Sequence, residues 1–405
     1  MLVAQGSELA TQDALLKKLA IYPQICGMEM LIKTFAGLEE VLAQELRDLG
    51  AQQITPQKRA VRCEGDHNLL YRANLWLRTG IRVLVPVESF HADTEDNLYR
   101  QLLRVNWGSF LQLRQTFAID VNTLSPQLTH SHFLALKTKA AIVDWFREHN
   151  NGKRPSVNTD DPDIRFHLHI DPRNEITLLL DSSGEGLHRR GYRTEGGEAP
   201  LNEALAAGLV LLSGYQGNEP FVDMMCGSGT LLIEAGMIAA RQAPGLYRKF
   251  AFENWRDFFR PIYNDIKEEA KAARRPCPAP IIGVDNNFKA VRIADNNISA
   301  ARLEDCIEVR RSIFQSFTPP PGPGWLIINP PYGLRVGHEE DVSGLYKAIG
   351  DKLKQDFAGY QAWIFSGNFE ALKEIGLKPS RKIPLMNGPL ECKLQGYELY
   401  LGSRK

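Results

Sequence analysis

Between residues 221 and 366, five short apolar runs, FVDM, IIGVD, CIEVR, WLIIN and QAWIFS, take turns with segments of helical spacing such as TLLIEAGMIAA, FKAVRIADNNISAARL and LYKAIGDKLKQDF. Strands that are apolar on both sides must be covered on both faces, and helices between successive strands achieve this when the strands run parallel. The fold class that follows is α/β, with a parallel sheet wound on both sides. The tail KIPLMNGPLECKLQGYELYLG reads instead as antiparallel strands capping the sheet edge.

The first half of the chain has a different rhythm. MLIKTF reads as a strand and GLEEVLAQELRDLGA as a helix, with Leu38, Val41, Leu42, Leu46 and Leu49 at helical spacing and Gly50 at the C-cap. A strand near Ala60–Cys63, a helix over Asn68–Arg78 and the strand IRVLVPVESF complete a small α+β unit, residues 29–90. A second unit, residues 91–187, contains the helix LALKTKAAIVDWFREHN and the strand DIRFHLHI, whose Ile164, Phe166, Leu168 and Ile170 alternate with Arg165, His167 and His169. ITLLLD is its expected hairpin partner. The α/β sheet then occupies residues 188–405, and residues 1–28 form an extension. Residues 8–20 of that extension can make a short amphipathic helix, or translation can begin at Met28 or Met30.

A chain of 405 residues with 43% hydrophobic and 24% charged residues is an ordinary globular chain, and no apolar run approaches the roughly 18 residues of a membrane span. The cysteines, Cys26, Cys63, Cys226, Cys277, Cys306 and Cys392, form no C-x-x-C pair, so reduced thiols in the cytoplasm and no structural zinc are expected. Net charge is zero, which excludes a uniformly basic protein but not a local phosphate-binding patch.

FVDMMCGSGTLLIEA is a strand, a glycine-rich turn and a helix start. Gly227 and Gly229 let backbone approach a ligand, and the free N–H groups of the helix favour an acceptor. A dinucleotide fingerprint would place a small residue where Leu232 stands and an acid about 20 residues on. The next strand-end acid is Asp285 in IIGVDNN, far beyond an insertion over residues 241–280. S-adenosylmethionine fits better, with Asp285 for the ribose hydroxyls and Asp223–Gly229 for the amino-acid moiety. Taken alone, Asp285 can equally be a helix N-cap.

WLIINPPYG ends a strand on a rigid polar turn. In methyl transfer to an exocyclic amino group, acceptors must hold the NH2 while its lone pair leaves conjugation and positive charge develops. The Asn329 side-chain oxygen and the Pro330 carbonyl can accept those protons, Pro330 and Pro331 fix the backbone, and Tyr332 offers a face for an extruded base. Positioning and electrostatics suffice, so no strong base is required.

DMMCGSGT, GVDNN and NPPYG in this order, preceded by GEGLHRRGYR and APLNEALAA, resemble the THUMP-domain RNA methyltransferases, in particular the RlmL type that modifies guanine N2 of large-subunit ribosomal RNA. The resemblance runs from about Met30 to the end. It implies a ferredoxin-like unit, a THUMP unit that grips RNA, a Rossmann-like methyltransferase domain, S-adenosylmethionine as cofactor and large-subunit ribosomal RNA as partner, naked or in an assembling particle. It carries cofactor binding to Asp223, Gly227, Gly229 and Asp285, beside which Met225, Cys226, Ser228, Asn286 and Asn329 are further candidate cofactor contacts, and it carries base binding to Asn329, Pro330, Pro331 and Tyr332. Met224 replaces the usual proline, Asn202 a common basic residue, and no acid stands near Ser312. The family's best-known form is fused to a guanine-N7 methyltransferase, an activity not expected of this chain.

Candidate phosphate contacts are Lys137, Lys139, Lys153 and Arg154 around the second unit's helix, together with Arg189, Arg190 and Arg193 of GLHRRGYR, which can also serve interdomain contact. His167 and His169 lack a third ligand, so no metal is expected; Cys226 reads as a small buried residue and Trp255 as core. Adenine-N6 methylation is the alternative within the same chemistry. A non-catalytic RNA-binding assembly factor is the alternative outside it, with a nicotinamide oxidoreductase third.

Overall fold

The computed structural model describes residues 27–193, 201–333 and 342–400. The helix considered for residues 8–20 lies outside them.

In the first half, β1 (Met28–Lys33), α1 (Glu39–Asp48), β2 (Gln52–Gln57), β3 (Ala60–Gly65), α2 (His67–Trp76) and β4 (Arg82–His91) follow in order. Helix α2 starts where Asp66 caps it, its carboxylate accepting from the Leu69 amide at 2.8 Å. Then come α3 (Glu95–Leu102), β5 (Thr116–Thr123), α4 (Ser131–His149), β6 (Ser156–Val157), β7 (Ile164–Ile170) and β8 (Glu175–Asp181). Along β7, buried and half-buried residues alternate as the sequence pattern requires. The boundary expected near residue 90 falls at the end of β4. There the two units join edge to edge, because β4 pairs antiparallel with β8 and makes one eight-stranded sheet, β2-β3-β1-β4-β8-β7-β5-β6.

The second half contains α5 (Glu203–Ser213), β9 (Phe221–Asp223), α6 (Thr230–Ala239), α7 (Arg260–Ala272), β10 (Ile281–Asp285), α8 (Phe288–Ala300), β11 (Ile307–Arg311), β12 (Gly324–Ile328), α9 (Val342–Asp356), β13 (Tyr360–Ser366), β14 (Arg381–Asn387) and β15 (Leu390–Glu398). Its sheet order is β11-β10-β9-β12-β13-β15-β14; the first five strands are parallel, and β15 and β14 close the edge antiparallel, as the tail pattern predicts.

The insertion over residues 241–280 leaves the seven-stranded sheet and packs under the other one. Phe252 is fully buried, its ring 4.7 Å from that of Tyr71 on α2 and 5.1 Å from that of Tyr263 on α7. Trp255 is buried in the same core, as expected. Arg78, in the turn before β4, donates to the carbonyls of Met237 and Gln242 at the end of α6. The two halves therefore share a core and a polar seam.

Two of the arginines offered as phosphate or interdomain contacts are engaged within the protein. Arg190 is 5% exposed: its guanidinium lies 3.4 Å from the Glu234 carboxylate on α6 and donates to the carbonyls of Leu187 and Arg78. Arg193 donates to Glu203 at 2.9 Å, to the Leu201 carbonyl at 3.1 Å and to the Thr230 hydroxyl at 3.4 Å. Arg190 thus bridges the two halves, whereas Arg193 ties α5 to the start of α6 within the second half; a buried charge requires partners of its own. Burial pushes the Glu234 carboxyl up, and Arg190 opposes this. Arg190→Ala would leave Glu234 buried without its ion-paired partner and with only Arg78 as a neighbouring cation, with an expected loss of up to about 3–5 kcal/mol, measurable by urea denaturation.

One correction concerns the thiols. Cys277 and Cys306 form a disulfide, with Cα atoms 5.4 Å apart, whereas Cys63, Cys226 and Cys392 are free and buried. Strand register explains the pairing: Ile281 of β10 lies beside Ile307 of β11, so the residues just before both strands meet.

No described helix is long and apolar enough to cross a membrane. Among the described residues no group of three His, Cys, Asp or Glu side chains is arranged to hold a metal ion. His167 instead faces Asp181 at 3.1 Å.

Candidate active site

Val222 of β9 lies in register with Ile282 of β10 on one side and Leu326 of β12 on the other. The three parallel strands therefore release Asp223, Asp285 and Asn329 along one rim. Strand order reverses at β9, with β10 to one side and β12 to the other; such a switch point opens a crevice at the carboxyl ends of the strands.

At the centre is the glycine turn. Gly227 has φ +53° and Gly229 φ +80°, conformations that other residues adopt at a cost. A Cβ on Gly229 would stand 3.2 Å from the Cβ of Ala294 on α8. The turn is pinned on several sides: the Cys226 amide donates to the Val284 carbonyl at 3.0 Å, and the Asn297 side chain donates to the Ser228 carbonyl at 3.0 Å. Cys226 is 6% exposed, and burial, with Asp223 and Asp285 nearby, raises its thiol well above the ordinary range. It is a packing residue, not a nucleophile.

Asp285 ties the glycine turn to the turn that follows β10. One carboxylate oxygen accepts from the Gly227 amide at 3.0 Å and the other from the Asn287 amide at 2.9 Å. It is not the N-cap of α8. Asn287 fills that position, accepting from the amides of Lys289 and Ala290, so the bland role for Asp285 is already taken. Asp223 is 1% exposed and accepts from the Met225 amide at 3.0 Å. Burial, together with the nearby Asp285 charge, pushes its carboxyl up to about 8. Asn202, at another departure from the family pattern, caps α5.

Two residues were not singled out from the sequence. Phe288 is 64% and Ile313 53% exposed, and both follow strands at this rim. The Arg311 guanidinium lies 5.9 Å from the Phe288 ring, and the Ser312 amide donates to the Asp285 backbone carbonyl, so the chain just after β11 runs beside the end of β10. Large apolar groups left in water next to hydrogen-bonding groups suit a flat heterocycle such as adenine. Their exposure is the signal, and sequence alone does not carry it. Asn286 is exposed and Ser228 half-buried.

At the β12 end, Asn329 is half-buried, Pro330 buried and Pro331 exposed. Tyr332 departs from expectation. Its ring is half-buried against the second core, and its hydroxyl donates to the Asn329 side-chain oxygen at 2.7 Å. Burial and the proximity of Cys392 push the phenol up. The Asn368 amide accordingly fixes the backbone here, donating to the Tyr332 carbonyl at 2.9 Å. The Tyr332 hydroxyl thus orients Asn329, a role not expected from the sequence.

The remaining cations divide by partner. Lys137 pairs with Asp96 at 2.9 Å and Arg189 with Glu185 at 2.8 Å, whereas Lys153 and Arg154 are exposed in the turn after α4 and Lys139 is half-buried on it.

Comparison with known proteins agrees with this geometry. Residues 190–396 match the family model described as RMKL-like, methyltransferase domain; residues 29–84 match the RlmL ferredoxin-like domain and residues 92–181 the THUMP domain. A Synechocystis sp. protein carrying the provisional name of RNA methyltransferase is 42% identical over 366 residues, covering 90% of this chain and 95% of its own length. The ribosomal RNA large subunit methyltransferase K/L of Syntrophotalea carbinolica is 39% identical over 92% of this chain, which spans 54% of that relative. Two crystal structures are similar throughout. One, a provisionally named methyltransferase complexed with SAH, has TM-score 0.85 and 29% identity, covering 93% of this chain and 99% of the other. The second, from Listeria monocytogenes, is named by prediction as an N6-adenine-specific DNA methylase, with TM-score 0.82 and 30% identity over 92% of this chain and 96% of its own. The chain belongs to the THUMP-containing family of RMKL-like methyltransferases.

Proposed function

We propose that this chain transfers a methyl group from S-adenosylmethionine to the exocyclic N2 of a guanine in large-subunit ribosomal RNA. The observation that carries this is the single rim shared by the glycine turn, Asp285 and Asn329. The K/L relatives supply the ribosomal substrate, although this chain spans only about half their length.

When bound, the cofactor supplies an electrophilic methyl on a sulfonium sulfur. The chain's own residues do the rest. Asp285 is placed to take the ribose hydroxyls, and Phe288 with Ile313 to flank the adenine. Asn329 Oδ1 has two lone pairs: one accepts the Tyr332 hydroxyl, which holds the amide in one orientation, and the other remains for the substrate N–H. The Pro330 carbonyl can accept the second proton. As the nitrogen attacks, these acceptors stabilise the charge it develops, and the methylated amine then gives its proton to water. Lys139, Lys153, Arg154 and Arg189 are proposed phosphate contacts, and the RNA can be presented within an assembling particle.

Asp223 provides a prediction with a sign. With its carboxyl pushed up to about 8, it is protonated at pH 7. This raised value favours the cofactor-free fold at low pH, and that contribution is lost as pH rises through about 8. Pairing with the cofactor's ammonium group would ionise it, so binding at pH 7 should release about one proton. Calorimetry in buffers of different ionisation enthalpy measures this, and Asp223→Asn should release none.

A second reading is favoured by the name of the Listeria relative: adenine N6 is also a conjugated amine and would meet the same acceptors. Nucleoside mass spectrometry of RNA from a deletion strain separates the two, with lost N2-methylguanosine expected and lost N6-methyladenosine contradicting the proposal. A non-catalytic assembly factor would lose neither and would bind no cofactor.

A further inference from the structure

We propose that a second base-binding site, which does not include Asn329, lies in the groove between the carboxyl end of α4 and the Gly108–Leu113 loop, and that it takes an unpaired nucleobase of the RNA. The inference rests on the chain acting on RNA, but it uses no residue of the catalytic rim.

The groove has a volume of about 530 Å3 and is open to solvent. That is ample for a nucleoside, and its openness suits a base still attached to its strand. Trp145 and His149 on α4 form a parallel stack, with ring centroids 4.2 Å apart and planes inclined by 14°. The pair is held in place: the Trp145 ring meets Phe146 edge-on at 5.0 Å, and His149 Nδ1 lies 2.8 Å from the Trp145 carbonyl. A preformed flat surface of this kind accepts any base, since each has a π face.

Cations frame the groove on both sides. Arg256 comes from the insertion of the catalytic half; it is exposed and lines the groove, and its guanidinium, which carries five N–H donors, donates one to the Gly108 carbonyl at 2.8 Å. On the other side the Lys153 amide closes a turn onto the Asn150 carbonyl at 3.0 Å, which sets the exposed Lys153 and Arg154 immediately beyond the groove. Aromatic stack and flanking cations together match a base with its phosphates. Because the insertion also fastens to this unit through Gln115, which donates to the Asn254 carbonyl at 2.8 Å, both halves of the protein build the site.

Tryptophan fluorescence of the full chain, titrated with a short single-stranded RNA, tests the proposal. Stacking should quench emission, and the quench should vanish in Trp145→Phe. His149→Ala and Arg256→Ala, both at exposed positions, should each weaken RNA binding about 5- to 20-fold while leaving SAH affinity unchanged. Unchanged RNA affinity in both variants, or an undiminished quench in Trp145→Phe, would overturn the site. Equal affinity for uridine monophosphate alone would make it a free-nucleotide site and overturn the RNA assignment. A chain that passes these tests but methylates no guanine would refute only the function proposed above.

Discussion

Asn329→Ala should lower turnover by about 10²–10³-fold and change SAH affinity by no more than a few-fold. The reasoning is geometric. Asn329 stands at the end of β12, next to β9 but not within the hydrogen-bonded turn that links Gly227 to Asp285. Removing its amide takes an acceptor from the place where positive charge develops and leaves the cofactor turn intact. Tyr332→Phe provides the graded counterpart: it deletes the hydroxyl that orients Asn329 and keeps the ring against the core. Loss of one neutral hydrogen bond is worth about 1 kcal/mol, so a fall in kcat of roughly tenfold or less is expected, with KM little changed. Single-turnover kinetics with 23S RNA measure both. A variant Asn329→Ala with normal turnover would remove the mechanistic argument.

Asp285→Ala should weaken SAH binding by about 100-fold or more. Each hydrogen bond to an ionised acceptor contributes about 1.5–3 kcal/mol, and two ribose hydroxyls would be lost together. The substitution also releases the Gly227 and Asn287 amides, so the glycine turn loses the tie that shapes it. Folding should survive, because α8 keeps its own cap on Asn287. Asp285→Asn retains one acceptor and should fall between the two. Calorimetric titration with SAH provides the ranking, and equal affinity in all three proteins would contradict the role of this acid.

The α/β half was legible because its strands are short, apolar and separated by clear helical periods. FVDM, IIGVD, CIEVR, WLIIN and QAWIFS all became strands of one sheet. In the other half the alternation in IRFHLHI identified β7, but β2 and β5 were not recognised. β2, QQITPQ, is a mostly exposed polar strand, and β5 is fixed by parallel pairing with β7 across a long stretch of chain. The same limit explains the arginines. GLHRRGYR announces charge, but only the packing of α6 reveals that Arg190 faces Glu234 in the interior while Arg189 stays in solvent. The Cys277–Cys306 bond depends on strand register in the same way. At the candidate site, residue types pointed to Asp285 and Asn329, which the fold brings to one rim. They could not show that the Tyr332 ring turns toward the core or that Phe288 and Ile313 stand out from it.

The central claim is that one crevice, at the β9–β12 switch point, holds the methyl donor with its reactive centre toward Asn329. A crystal structure of the chain with SAH tests it most directly. The account predicts ribose hydroxyls on Asp285, adenine between Phe288 and Ile313, and the sulfur facing the Asn329 amide. A cofactor bound elsewhere on the sheet, or one whose sulfur points away from Asn329, would contradict it.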